Sequence, residues 1–542
     1  MQKLLLLGDE AIARAAIDAG ISGIYAYPGT PSTEIMEYVQ LQKNKGTASV
    51  CCEWSANEKT AVETALGMSY AGKRAIAAMK HVGLNVAADP FINSAVTGVN
   101  GGLIIAAADD PSMHSSQNEQ DSRFYGKFAL IPVFEPASQQ EAYDMVFDAF
   151  EISEKYSVPV LMRITTRLAH SRAEVTTRKP VPQKPVRLPD DSERFILMPA
   201  IARKRYKTLL HNYEKLKLDN RLTKYNVFRD GTDRNLGIIA CGLAWNYLME
   251  NFSGKKIPYP VLKISTLPFE KDIIKDITGR CKEILVLEEG YPLIEELLRG
   301  ILDEGIRIYG RMNGAIPRDG ELNPDIVAKA IGIKTYRGPT VPELVVPRPP
   351  SFCKGCGHAD MFNAITEAMK PFQFKGVFSD IGCYTLAALP PFSAINSCVD
   401  MGASVTMAIG AADAGLHPAV AVIGDSTFTH SGMTGLLDAV VRNSDVTVII
   451  ADNQTTGMTG GQKSSGTGKL QGICAGLGIE PEHIRTIIPL RKNHEDNVRI
   501  IREEIDFKGP SVIIASRECI QTASRRRKNE NKTETEKNSH EV

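Results

Sequence analysis

The chain has 542 residues, 43% hydrophobic and 23% charged, with Lys plus Arg equal to Asp plus Glu at 63 each. That length is too great for one domain, and the balanced charge gives no net field to favour nucleic acid or an acidic membrane surface. No apolar run approaches the roughly 20 residues of a membrane span, and the opening Leu4-Leu5-Leu6-Leu7-Gly8-Asp9-Glu10 is too short an apolar core for a signal peptide, so a cytoplasmic location is expected.

In chain order, residues 1–175 are expected to form one α/β domain. A strand at the start enters a helix over Ala11 to Ala19. The strand Ile24-Tyr25-Ala26-Tyr27 is halted by Pro28-Gly29-Thr30-Pro31. Glu58 to Ala71 has helical composition, and Gly102 to Ala108 and Pro159 to Met162 are buried strands. Alternating strands and helices imply a mostly parallel sheet. Residues 176–233 begin with prolines and basic side chains, Lys179 to Pro185, and continue as a charged helix from about Ala200 to Leu218. They are expected to be a linker and a connecting helix with a solvated face. Residues 234–340 form a second α/β module, with strands at Leu236 to Gly242 and Glu283 to Glu289. A proline-rich linker, Val345-Val346-Pro347-Arg348-Pro349-Pro350, marks the entry to the last domain, 341–520. Residues 521–542, with Arg525-Arg526-Arg527-Lys528 and few apolar residues, are expected to be a disordered tail.

The last domain carries the most informative pattern. The apolar run Ala419 to Ile423 ends in Gly424-Asp425-Ser426, and the run Val446 to Ile450 ends in Asp452-Asn453, with a helix over Gly432 to Val441 between them. Each strand delivers polar residues at its carboxyl end, where open parallel sheets bind ligands. The pattern fits thiamine diphosphate with Mg²⁺, a hard cation that takes oxygen ligands in octahedral geometry. Asp425 supplies a carboxylate oxygen, Asn453 an amide oxygen and Thr455 a backbone carbonyl. N–H groups around Gly424 and Ser426 face phosphate oxygens. The alternative is an ordinary strand-end turn with a helix-capping Asp or Ser. Among ten cysteines, Cys353 and Cys356 form a C-x-x-C pair; away from an oxidising compartment such a pair is metal-binding or redox-active rather than a structural disulfide.

Further motifs are Tyr27-Pro28-Gly29-Thr30-Pro31-Ser32, Glu53-Trp54-Ser55-Ala56-Asn57-Glu58-Lys59, His114-Ser115-Ser116-Gln117-Asn118-Glu119-Gln120-Asp121, Cys353-Lys354-Gly355-Cys356-Gly357-His358 and Asp380-Ile381-Gly382-Cys383-Tyr384-Thr385. With Gly424-Asp425-Ser426-Thr427-Phe428 they resemble the α subunits of indolepyruvate:ferredoxin oxidoreductases, within the thiamine-dependent 2-oxoacid:ferredoxin oxidoreductase superfamily, to about residue 520. The resemblance implies three α/β domains with mostly parallel sheets, two of them thiamine diphosphate-binding folds. Residues 1–175 would bind the pyrimidine, 341–520 the diphosphate, and 234–340 would be a module like the C-terminal domain of transketolases. It implies that Glu58 activates the cofactor, with Glu53 as rival and a helix N-terminal carboxylate as the plainer role for either. Thr30 would hydrogen-bond the 2-oxoacid or simply cap the next helix. His114 and Arg123 would meet the substrate carboxylate or an intermediate, and His358 and Gly382 would line the cofactor pocket. Cys353, Cys356, Cys383 and Cys519 resemble the ligands of a [4Fe–4S] cluster. Cys398 and Cys474 are outside candidates, and a zinc site or buried reduced thiols are the alternatives.

The activity so implied is oxidative decarboxylation of an aryl 2-oxoacid such as indolepyruvate to an aryl-acetyl-CoA, with electrons leaving to ferredoxin. A smaller β subunit and a hetero- or homo-oligomeric assembly are implied, with no nucleic acid or membrane partner. One departure stands out: the family's α subunits usually continue into a ferredoxin-like domain, and no cysteine follows Cys519. Onward clusters are then expected on a separate protein, or electrons leave directly from a cluster near thiamine. Two rivals are a non-oxidative thiamine-dependent decarboxylase or carboligase, and a non-catalytic scaffold, against which Glu58, Asp425 and Asn453 together argue.

Overall fold

The structure is a computed structural model that describes residues 2–191, 194–299, 306–335, 338, 340–346, 350–373 and 375–527. It divides into two compact units, Met1–Thr340 and Val341–Val542.

The first unit is built on a seven-stranded sheet with the spatial order Thr266–Leu267, Val133–Phe134, Val160–Thr165, Leu103–Asp109, Ala75–Lys80, Gly23–Ala26, Cys51–Trp54. All pairs are parallel except Thr266–Leu267 with Val133–Phe134. Leu103–Asp109 and Val160–Thr165 are buried along their whole length, as strands covered by helices on both faces must be. Gly23–Ala26 connects outward to Cys51–Trp54 on one side, while its other neighbour, Ala75–Lys80, connects onward in the opposite direction. The crevice between them is the topological switch point where such sheets bind ligands.

The middle module is a five-stranded sheet in the same unit, ordered Arg307–Tyr309, Glu283–Leu287, Leu236–Cys241, Val261–Ile264, Val227–Arg229. Thr266–Leu267, just beyond its strand Val261–Ile264, joins the larger sheet. The segment after residue 176 is a strap rather than a free linker: Val181 N–H donates to Asp18 O at 2.7 Å and Arg187 N–H to Ala71 O at 2.9 Å. The charged helix spans Pro199–Leu216.

The second unit holds an all-parallel six-stranded sheet ordered Ser397–Cys398, Gly376–Ser379, Ala419–Gly424, Val446–Asp452, Ser511–Ser516, Ile484–Ile487. Alternate residues of one strand serve opposite cores: Val420 and Val422 pack on one face, Ala419, Ala421 and Ile423 on the other, the two-residue period of a pleated strand. The switch point lies between Gly376–Ser379 and Ala419–Gly424, so Asp380-Ile381-Gly382-Cys383 and Gly424-Asp425-Ser426 emerge side by side.

The expected tail needs correction at its start. Residues 520–527 are helical, and Arg525 Nη1 donates to Gly460 O at 2.8 Å, which gives that turn an anchor its sequence does not advertise. Lys528 and the rest of the tail lie outside the described residues, as do Pro347, Arg348 and Pro349 of the second linker.

Candidate functional site

In the second unit, Asp425 opens a helical turn at the end of Ala419–Gly424 and is 2% exposed. Its Oδ2 has no hydrogen-bond partner. Burial, reinforced by neighbouring Asp452 and opposed by a hydrogen bond from Ser464, pushes its carboxyl up to about 7 from an ordinary 3.8. An enclosed carboxylate oxygen without a donor lacks a positive charge, so the site fits a cation. Asn453 Oδ1 accepts the Thr455 N–H at 3.1 Å, fixing the turn that carries both candidate oxygen donors. Ser426 Oγ accepts from Thr456 Oγ1 at 3.1 Å. A Cβ on Gly424 would meet the Tyr384 ring at 2.6 Å, and one on Gly382 would meet it at 2.3 Å. Both glycines let the two switch-point loops close on Tyr384, whose hydroxyl donates to Asp380.

The four cysteines singled out in the sequence converge. Cys353, Cys356, Cys383 and Cys519 line one cavity of about 160 Å³ together with His358 and Asn453. Cys383 is pushed up to about 12 by burial and by the nearby thiols of Cys356, Cys519 and Cys353. The Cys519 N–H donates to Asn453 O at 3.1 Å, so one turn serves both the cation donors and the cysteine cavity. His358 is buried with both ring nitrogens unpartnered, and burial lowers it to about 4. Cys474 lies in the apolar core, and the Cys398 thiol donates to Asp380 O at 3.7 Å; neither lines this cavity. Among the described residues, the one group of three side chains with potential metal-ligand atoms within 4.8 Å of one another is Asp9, Glu34 and His170. Among the described residues, no three of these cysteine sulfurs lie within that distance of one another.

In the first unit, Glu58 is the first residue of the helix Glu58–Tyr70 and is 5% exposed, behind Asn57, whose side chain accepts from Thr60 N–H at 2.8 Å. Its carboxylate lies against Gly83, where a Cβ would meet Oε1 at 2.5 Å. The rival Glu53 is exposed. Thr30 stands at the head of the loop after Gly23–Ala26; its carbonyl accepts from Ser115 Oγ at 3.2 Å, and Gly29 N–H donates to Thr33 Oγ1 at 3.1 Å. His114 is exposed, with Nε2 3.5 Å from Glu321.

Arg123 differs from the expectation. It is 1% exposed, with ion pairs to Asp121 at 2.6 Å and Glu288 at 3.0 Å and hydrogen bonds to Glu289 O and Tyr291 O, both at 2.9 Å. Its guanidinium holds the middle module to the main sheet and is not presented to a ligand. Two residues passed over in the sequence also face the switch points. Asp380, buried and raised to about 7 by that burial, accepts from Ser404 Oγ at 2.6 Å and Gly402 N–H at 3.2 Å. Lys80 ends the apolar strand Ala75–Lys80. A charged residue at the carboxyl end of an apolar run was the available signal for both.

Known proteins place the chain in a family. Residues 14–210 match the family model for the thiamine diphosphate-binding domain of pyruvate flavodoxin/ferredoxin oxidoreductases, and residues 380–515 match that for the C-terminal TPP-binding domain of thiamine pyrophosphate enzymes. Indolepyruvate oxidoreductase subunit IorA of Archaeoglobus fulgidus is 40% identical over 566 residues, covering 99% of this chain and 89% of the relative. The subunit of the same name from Methanothermobacter thermautotrophicus is 36% identical, covering 96% and 87%. Among solved structures, a 2-oxoglutarate:ferredoxin oxidoreductase from Magnetococcus marinus has a TM-score of 0.50 at 16% identity, covering 61% of this chain and 65% of that one, and shares the fold. No described helix is long and apolar enough to cross a membrane.

Proposed function

Because the chain belongs to the family of indolepyruvate oxidoreductase subunit IorA, a branch of the thiamine diphosphate-dependent 2-oxoacid:ferredoxin oxidoreductases, we propose that it oxidatively decarboxylates aryl 2-oxoacids such as indolepyruvate. A 2-oxoacid and CoA give an aryl-acetyl-CoA and CO₂, and the two electrons released pass singly through an iron–sulfur cluster to ferredoxin. A smaller subunit completes the enzyme. The observation that carries the redox reading is the convergence of Cys353, Cys356, Cys383 and Cys519 on one cavity that shares the Asn453 turn with the cation donors.

Bound thiamine diphosphate supplies a nucleophilic carbon and an electron sink. The chain's residues do the rest. Asp425, Asn453 and the Thr455 carbonyl would hold Mg²⁺, which would supply the positive charge that the buried Asp425 lacks. The backbone at Gly424 and Ser426, with Gly382 opposite, takes the diphosphate. Glu58, held in place by its packing against Gly83, would hold a proton toward the pyrimidine of the bound cofactor. Thr30 and His114 lie on loops that would face the 2-oxoacid. His358 lines the cavity between the thiols and the Asn453 turn. Cys353, Cys356, Cys383 and Cys519 would hold a [4Fe–4S] cluster, which would supply one-electron transfer. The domain division proposed is a pyrimidine-binding part at 1–175, a transketolase-like part at 234–340 and a diphosphate-binding part at 341–520.

The test is anaerobic purification followed by iron, acid-labile sulfide and thiamine diphosphate per chain. Iron and sulfide at about four each, with thiamine, is the expected result. Thiamine diphosphate without iron would overturn the redox reading and leave a non-oxidative decarboxylase or carboligase.

A further inference from the structure

Lys80 is a cation placed for a ligand and left without a counter-ion. It is the last residue of Ala75–Lys80, which pairs with Gly23–Ala26 across the first unit's switch point. The next residues after Gly23–Ala26 are Tyr27-Pro28-Gly29-Thr30. The Lys80 stem lies across that loop: a Cβ on Gly29 would meet Lys80 Cδ at 3.2 Å and Cγ at 3.4 Å. Glycine at 29 leaves room for the stem, and Ser115 links its end to the loop: it accepts from the ammonium and donates to the Thr30 carbonyl.

The ammonium is half-buried and donates one hydrogen bond, to Ser115 O at 3.1 Å. Among the described residues it forms no ion pair. Its nearest acids are committed elsewhere. Asp110 accepts from Ser115 N–H at 2.8 Å, Ser116 Oγ at 2.7 Å and Thr166 Oγ1 at 2.7 Å, and Glu58 packs on Gly83. Burial lowers Lys80 from an ordinary 10.5, while Asp110 and Glu58 oppose the shift from a distance. A lysine has three N–H donors, so two remain unspent in a region where an unpaired charge is costly. The other buried cations of this unit are treated differently. Arg163 meets Asp109 at 2.6 Å and also pairs with Glu135, and Arg123 meets Asp121 and Glu288. With Arg123 so occupied, Lys80 is a cation at this crevice that, among the described residues, has no ion pair.

We propose that Lys80 anchors the carboxylate of the 2-oxoacid substrate, with the Thr30 loop as the opposite wall of its site. This rests on the functional reading above and deepens it. Lys80 holds the carboxylate in place while the neighbouring keto carbon reacts, so its main effect falls on substrate affinity rather than on turnover.

The test uses the full chain as holoenzyme, comparing K80M and K80R with the parent. The probes are a 2-oxoacid, indolepyruvate, and its methyl ester as a competing ligand that lacks the negative charge. A charge-assisted hydrogen bond gives roughly 10- to 100-fold discrimination between acid and ester in the parent. K80M should raise KM for the acid by a similar factor, change kcat far less, bind acid and ester about equally, and retain parental thiamine diphosphate affinity. K80R, which keeps the cation, should recover most of the discrimination. A purely structural role would not separate acid from ester, or Arg from Met, in this way. Turnover by the parent with undiminished discrimination in K80M would overturn the role of Lys80 alone. A parent that neither binds nor turns over 2-oxoacids would overturn the functional reading together with it. If K80M does not fold, K80R with parental fold and no discrimination would likewise overturn the proposal.

Discussion

Replacing Asp425 with Asn should stabilise the cofactor-free protein while weakening cofactor binding, two effects of opposite sign from one atom. Asp425 titrates near 7 in the fold against an ordinary 3.8 because it is buried. A carboxyl raised in this way contributes stability that is fully present below the ordinary value and is lost as pH rises through about 7. At pH 8 without a cation, keeping it ionised costs about 4 kcal/mol at roughly 1.4 kcal/mol per pK unit. Asn removes that cost but leaves an amide without a partner where Oδ2 stood, at about 1–3 kcal/mol. The net gain is about 1–3 kcal/mol, which moves the transition of a unit of this size by roughly 2–4 °C per kcal/mol. Binding should fall by more than the roughly 10–100-fold that losing a mere supporting partner of a metal ligand costs. Calorimetric unfolding at pH 8 with a chelator reads the first effect, and titration with thiamine diphosphate in Mg²⁺ reads the second. A D425N protein less stable than the parent without metal, or one that binds the cofactor as tightly as the parent, would refute the reasoning.

Three further outcomes follow from the geometry. E58Q should lower turnover by about 10²–10⁴-fold, the range for losing an acid–base group, with cofactor affinity retained in a titration; near-parental turnover would remove Glu58 from the role. G83A should reproduce much of that loss without lowering the melting temperature of the first unit, because the new Cβ would meet Glu58 Oε1 at 2.5 Å and the side chain must turn away. C383S should abolish iron binding while leaving thiamine diphosphate binding near parental; iron retained at the parental level would exclude Cys383 as a ligand.

What could be read from the sequence was what is local. Ala419–Gly424 and Val446–Asp452 announce themselves by apolar runs that end in Gly424-Asp425 and Asp452-Asn453, because a buried parallel strand needs the first and a ligand crevice the second. Glu58 was legible as the first residue of a helix, and its role only through the resemblance; the Asn57 cap before it is a finding of the structure. The cysteine set was suggested by resemblance, since nothing local joins Cys383 and Cys519 to Cys353; the Cys519 N–H bond to Asn453 O brings them together only in the folded chain. Asp121, two residues away, was a legible partner for Arg123, but Glu288 and the Glu289 and Tyr291 carbonyls that complete its enclosure come from a distant segment. Lys80 was passed over although it ends an apolar run, and that it has no ion pair among the described residues is a tertiary fact. The helix at 520–527 has no apolar periodicity to announce it, and the Arg525 bond to Gly460 is again a contact between distant segments.

The way this chain buries charge separates structure from function. Where charge holds modules together it is matched: Arg123 and Arg163 sit among Asp109, Asp121, Glu135 and Glu288, and burial raises Glu288 to about 7, so part of the surplus acid is met by a proton. Removing one member would strand another charge, which is why such networks are costly to break. At the two switch points charge is left unmatched, with opposite signs: an anion in the second unit, Asp425 with a bare Oδ2, and a cation in the first, Lys80 with one backbone acceptor. Asp9, enclosed with both oxygens unpartnered, is an exception, and burial drives it far toward its neutral form. An unmatched charge at a sheet's carboxyl end is stability withheld from the ligand-free fold and returned on binding. The signs therefore limit the ligands: Asp425 calls for a cation and Lys80 for an anion, which under the proposed function is the substrate carboxylate.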